Sequence, residues 1–64
     1  MVKVNGVEVD IAGKTVTESL ATTNYDSGRI AVERNGDIVF KSQYDVTVLE
    51  EGDSLEIVSF VGGG

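Results

Sequence analysis

The chain is 64 residues long, enough for one small domain: surface scaling gives roughly 9,900 Å² exposed unfolded and about 4,000 Å² folded, so only about 60% is buried. It contains no Cys and no His, which excludes disulfides, a thiolate nucleophile and Cys-ligated zinc or iron–sulfur centres, and removes the commonest general base. Eleven acidic residues against five basic ones give a net charge of −6, a field that repels nucleic-acid phosphates and anionic lipid and favours solubility.

Val2, Val4, Val7, Val9 and Ile11 alternate around Asn5-Gly6. Asn-Gly supplies both positive-φ positions of a type I′ turn, so residues 2–11 are expected to form a β-hairpin. Gly13-Lys14 breaks the strand, and Thr15 with Glu18 matches a capping box. Val16 and Leu20 then define the buried stripe of a short helix over about residues 16–23. The run Ala21-Thr22-Thr23-Asn24 is a poor helix former and lets that helix fray. Strand character returns over Ile30–Arg34, a second Asn-Gly follows at Asn35-Gly36, and Ile38-Val39-Phe40 is short and apolar. Ser42–Asp45 reads as a single turn. Val46–Leu49 then leads into an acidic turn, Glu50-Glu51-Gly52-Asp53. The last strand is expected over Ser54–Val61, with Leu55, Ile57, Ser59 and Val61 on one face and Glu56, Val58 and Phe60 on the other.

The order is strand, strand, helix, strand, short strand, strand. The helical crossover lies between the second and third strands, and the closing strand is apolar on both faces, as central strands are. The expected fold is therefore α+β: a β-grasp, or ubiquitin-like, mixed sheet of four to five strands packed on one short helix. An OB-fold or SH3-like barrel would need more strands and no such helix. Residues 1–61 read as the domain and 62–64 as a flexible glycine tail, with no repeat or linker. No apolar run has membrane-spanning length and Met1 leads straight into a strand-like segment, so a soluble cytoplasmic protein is expected.

The residue set argues against an enzyme. Asp45, Glu50, Glu51 and Asp53 lack the register of a calcium loop and read as a solvated turn. The glycines form neither G-x-G-x-x-G nor a P-loop, and no catalytic or metal residue is assigned. Gly62-Gly63-Gly64 is the informative feature. It has no side chains to pack and is costly to order. Such a backbone suits a narrow enzyme channel, where it would present a terminal carboxylate. The other reading is a frayed end.

The ordered set of Val4-Asn5-Gly6-Val7-Glu8, Gly13-Lys14-Thr15-Val16 with Leu20, Ile30-Ala31-Val32 with Asn35, Leu49 with Gly52-Asp53, Leu55-Glu56-Ile57-Val58 and the glycine tail spans nearly the whole chain. Together these residues resemble the thiamine-biosynthesis sulfur carrier proteins, the ThiS family. Each motif is weak alone; the ordered set is specific. The third glycine departs from the family, which usually ends in two.

The resemblance implies a carrier on which other enzymes act. A ubiquitin-activating-like adenylyltransferase would join the Gly64 carboxylate to AMP from MgATP, while the carrier itself binds no cofactor. A desulfurase or rhodanese-type sulfur donor would convert the adenylate to a thiocarboxylate, and thiazole synthase would receive the sulfur. Gly62 and Gly63 would thread into the partner. Val58 and Phe60, on the helix-free side of the sheet, would dock partners or merely cover the sheet. Glu50, Glu51, Asp53 and Glu56 either meet a basic rim on the activating enzyme or form a solvated face. Competing readings are a carrier for molybdopterin synthesis, a protein modifier forming isopeptide bonds, and a plain interaction module.

Overall fold

Asn5-Gly6 and Asn35-Gly36 each place consecutive residues at positive φ, 51° and 85° in the first pair and 52° and 88° in the second. This is the type I′ geometry, whose twist matches that of the strands it joins. The computed structural model describes residues 1–23, 25 and 27–60. In it the first turn joins β1 (Val2–Val4) to β2 (Val7–Val9), with Val2 opposite Val9 and Val4 opposite Val7. The second joins β3 (Ile30–Arg34) to β4 (Asp37–Val39), with Val32 opposite Val39 and Arg34 opposite Asp37. The strand β5 (Ser54–Ser59) lies between the hairpins, parallel to β1 and antiparallel to β3. The sheet order is β2-β1-β5-β3-β4, a mixed five-stranded sheet.

Helix α1 (Val16–Ala21) crosses one face of this sheet. Its start is a capping box: the Glu18 N–H donates to Thr15 Oγ1 at 3.1 Å, and the Thr15 N–H donates to Glu18 Oε1 at 2.8 Å. The Thr15 N–H holds the Glu18 carboxyl below its ordinary pKa. The helix stops at Ala21, two residues short of the expected span. Thr22 and Thr23 end it because their hydroxyls take the Ser19 and Leu20 carbonyls at 2.7 and 2.8 Å. Their backbone amides fall back on the same carbonyls, three residues earlier.

Val16 and Leu20 are buried against Val2, Ile11, Ile30, Val32, Tyr44, Leu49, Leu55 and Ile57. The Ser19 hydroxyl, also buried, donates to the Val16 carbonyl at 2.8 Å and leaves no unpaired group there. The segment before β5 seals the entry to the helix. Val16 N–H donates to the Thr47 carbonyl at 3.0 Å, Gly13 N–H to that of Leu49 at 2.8 Å, and Leu49 N–H to that of Lys14 at 2.8 Å. Among the described residues, no helix is long and apolar enough to cross a membrane.

Two strands also differ in extent from expectation. The strand β4 begins at Asp37 and ends at Val39, because Phe40 leads into a 3-10 turn over Lys41–Gln43 rather than extending the ladder. Regular pairing of β5 ends at Ser59, and Val61, expected to close that strand, lies outside the described residues.

Candidate functional site

The two faces of β5 are sharply different. Leu55 and Ile57 are buried under the helix, whereas Val58 and Phe60 are 52% and 57% exposed. Alternation along a strand requires this split once the closing strand sits mid-sheet. On the helix-free face Val58 stands opposite Ala31 and Glu56 opposite Glu33, while Glu33 in turn stands opposite Ile38. Ile38 of β4 and Phe40 just after it are also exposed, large apolar side chains on the side of the sheet bounded by β4. Sequence reading placed Val58 and Phe60 outward but missed Ile38 and Phe40. Their position relative to β5 depends on the long-range pairing of β5 with β3, which no local pattern encodes.

The sheet holds the chain up to Phe60, whose N–H donates to the Arg29 carbonyl at 2.7 Å. The residues expected to thread and to be activated, Gly62, Gly63 and Gly64, come after Val61 in the sequence and lie outside the described residues. The exposed apolar face thus sits at the base of the glycine tail.

The acidic turn is not one surface. Glu51 pairs with the Met1 amino group, and Glu50 lies 3.5 Å from Arg34 Nη2, both carboxylates being exposed. Asp53 departs from the expected solvated rim: it is 8% exposed. Its carboxylate accepts from the Glu50 N–H and from Arg34 Nε, both at 2.8 Å, and from Asn35 Nδ2 at 3.0 Å. Burial opposes its ionisation, but these donors outweigh that and hold its pKa below the ordinary value. Asp53 therefore braces the turn from inside and does not present its charge to a partner.

Asn5 and Asn35 do more than turn the chain. Asn5 Oδ1 accepts from the Ile57 N–H at 2.7 Å, and its Nδ2 donates to the Ile57 carbonyl at 3.2 Å and to the Tyr25 hydroxyl at 3.3 Å. The amide side chain takes the place of a strand residue after β1 has turned away. On the other side of β5, Asn35 Oδ1 accepts from the Ser54 N–H at 2.9 Å. The strand leading to the tail is thereby clamped from both sides by the two turn asparagines.

The rest of the surface offers little chemistry. A hollow of about 400 Å³ between α1 and the 3-10 turn is lined by Thr17, Leu20, Tyr44 and Asp45, and the Thr17 hydroxyl already donates to Asp45. Among the described residues, no three His, Cys, Asp or Glu side chains are grouped to hold a metal ion.

Known proteins share this fold. The model of the ThiS family matches residues 2–64. The chain belongs to the ThiS family. It is 38% identical over 66 residues to the sulfur carrier protein ThiS of Bacillus subtilis, covering the full length of both. A crystal structure of the thiamine biosynthesis protein (ThiS) from Geobacter metallireducens superposes with a TM-score of 0.79 at 36% identity, covering 98% of this chain and 97% of that one. The ThiS-like sequence also occurs inside a longer protein. A thiazole synthase of Paramagnetospirillum magneticum is 47% identical over 62 residues, 95% of this chain but only 19% of that protein.

Proposed function

We propose that this protein is a sulfur carrier of thiamine biosynthesis whose Gly64 carboxylate is the group that is activated. The observation that carries the reading is the match to the ThiS family over residues 2–64, with the exposed face of β5 leading into the glycine tail. A carboxylate resists nucleophiles because its charge is delocalised and oxide is a poor leaving group. In a ubiquitin-activating-like adenylyltransferase using MgATP, a Gly64 carboxylate oxygen would attack the α-phosphorus of ATP and expel pyrophosphate, so that this oxygen can later leave as part of AMP. The terminal sulfur of a persulfide, on a desulfurase or rhodanese-type donor, would then attack the Gly64 carbonyl and expel AMP. Cleavage of the resulting S–S link by a thiol would leave a Gly64 thiocarboxylate, a nucleophile at neutral pH. Thiazole synthase is the acceptor this reading names. The P. magneticum thiazole synthase that carries a segment like this one within its own chain supports that choice.

Each of the chain's own residues has a limited task. Gly62 and Gly63 would thread a channel too narrow for side chains, and Val58 and Phe60 would seat the partner. Glu33 and Glu56, facing each other beside Val58, would complement a basic rim on the activating enzyme. Intact-mass measurement of the protein recovered from its own cells tests the carrier reading. The expected result is a fraction heavier by the difference between sulfur and oxygen. Protein conjugates in place of that species would show a modifier, and unmodified protein alone would count against a carrier.

Docking has its own test. Phe60→Ala is expected to weaken binding to the activating enzyme by about 2 kcal/mol, roughly thirtyfold, as truncated interface anchors do. Melting should barely move, within about 0.5 kcal/mol, because Phe60 is on the exposed side of the sheet. Titration calorimetry and thermal melting of the same variant separate the two effects. Unchanged affinity, or an unfolded variant, would remove Phe60 from the docking face.

A further inference from the structure

We infer that Asn5 and Asn35 are modification sites gated by the fold: each Asn-Gly pair loses ammonia and reacts with water only when β5 leaves its place between the hairpins. The inference rests on the clamp geometry and not on the carrier reading.

The chemistry belongs to the dipeptide. The backbone nitrogen of Gly6 or Gly36 attacks Cγ of the preceding Asn, since glycine has no Cβ to obstruct the approach. The new N–Cγ bond forms as the Cγ–Nδ2 bond breaks, and ammonia departs with the proton that the glycine nitrogen gives up. Water then opens the cyclic imide. Opening at Cγ yields Asp in a normal chain; opening at the main-chain carbonyl yields an isoaspartyl link, with the backbone rerouted through Cβ. Nothing is oxidised or reduced. One amide and one water become one carboxylate and one ammonia.

In the folded domain neither Asn can reach that geometry. Asn5 has its oxygen and nitrogen bonded to the Ile57 N–H and carbonyl at 2.7 and 3.2 Å. Asn35 is held by the Ser54 N–H at 2.9 Å and by the Asp53 carboxylate at 3.0 Å. Rotating either Cγ toward the next glycine breaks two hydrogen bonds to the same short stretch of chain, residues 53–57. Both sites therefore open with one event, the departure of β5.

The product does not fit the site it came from. At Asn35 the new carboxylate would stand where Nδ2 now donates to Asp53, setting a second negative charge 3.0 Å from the buried Asp53 carboxylate. At Asn5 an oxygen would face the Ile57 carbonyl in place of a donor. An isoaspartyl link lengthens a two-residue turn and destroys the pairing of Val4 with Val7. A molecule that reacts while open is hindered from closing again.

Peptide mapping of the whole protein, aged in warm, mildly alkaline buffer and in graded urea, tests this. A step confined to the open form of a small domain runs about a thousandfold or more slower under native conditions. Both sites should lag their fully denatured rates by more than about a hundredfold, and both should rise together as urea populates the open form. Leu20→Ala, which removes a buried core side chain, should speed both by the same factor without urea. A native rate within about a hundredfold of the denatured rate at either Asn would overturn the inference. So would urea or Leu20→Ala speeding one site and not the other. Asn35→Asp should melt below wild type, and an unchanged melting temperature would overturn the claim that the product is excluded.

Discussion

Asp53→Ala is expected to destabilise the domain by about 3 kcal/mol, the low end of the loss typical when one partner of a buried charge pair is removed, because the Arg34 partner is only half-buried. A 64-residue chain has roughly 3–10 kcal/mol in all, so much of the variant should be unfolded at room temperature. Three donors are left behind: the Glu50 N–H, Asn35 Nδ2 and Arg34 Nε. The first closes the turn into β5, and the second belongs to a side chain that also holds Ser54. Removing the carboxylate therefore loosens the start of the strand that carries the docking face. Asp53→Asn keeps the shape, loses the charge and should cost less. Urea melts of both variants give the comparison. A loss below about 1 kcal/mol for Asp53→Ala would mean water replaces the carboxylate, and the brace would then be dispensable.

The same residue sets a pH dependence. The folded pKa of Asp53 is lowered from the ordinary value of 3.8, since the Glu50, Asn35 and Arg34 donors outweigh burial. The unfolded chain thus binds the proton more readily, and its contribution to stability is fully present above the unfolded value. That contribution is lost as pH falls below 3.8 toward the folded value. Wild type should lose stability in this acid window, and Asp53→Asn should lack that component of the loss.

What sequence reading recovers is local. Asn-Gly twice, Thr15 with Glu18, and the alternation of Leu55, Ile57 and Val58 each express a rule spanning a few residues, and the structure contains every one of them. Asp53 escaped because its partners Arg34 and Asn35 are distant in the chain, while its neighbours Glu50 and Glu51 are exposed acids. A carboxylate beside a glycine turn reads as solvated until the fold brings β3 against it. Asn5 and Asn35 were legible as turn residues because φ is local, but their grip on β5 exists only once the closing strand arrives. The helix end at Ala21 turned on competition between threonine hydroxyls and the helix for the same carbonyls, which propensity alone does not position.

Activation at Gly64 should collapse on either of two small changes that leave the core untouched. Residues 61–64 reach at most roughly 13–14 Å, enough to enter a nucleotide site while the folded body stays outside. One residue added after Gly64 moves the carboxylate by about 3.5 Å, and a misplacement of about 1 Å can already cost a hundredfold in rate. Gly63→Val keeps the carboxylate but adds a branched side chain where the channel would admit only backbone. Both should abolish ATP–pyrophosphate exchange with the cognate adenylyltransferase, while melting and binding through Val58 and Phe60 stay near wild type. The two variants fail for different reasons, so lengthening the chain and widening it are tested separately. Exchange by the extended protein at the wild-type rate would refute activation at Gly64. Exchange only by a form trimmed to end at Gly63 would move the reactive carboxylate to Gly63, restoring the two-glycine ending usual in the family.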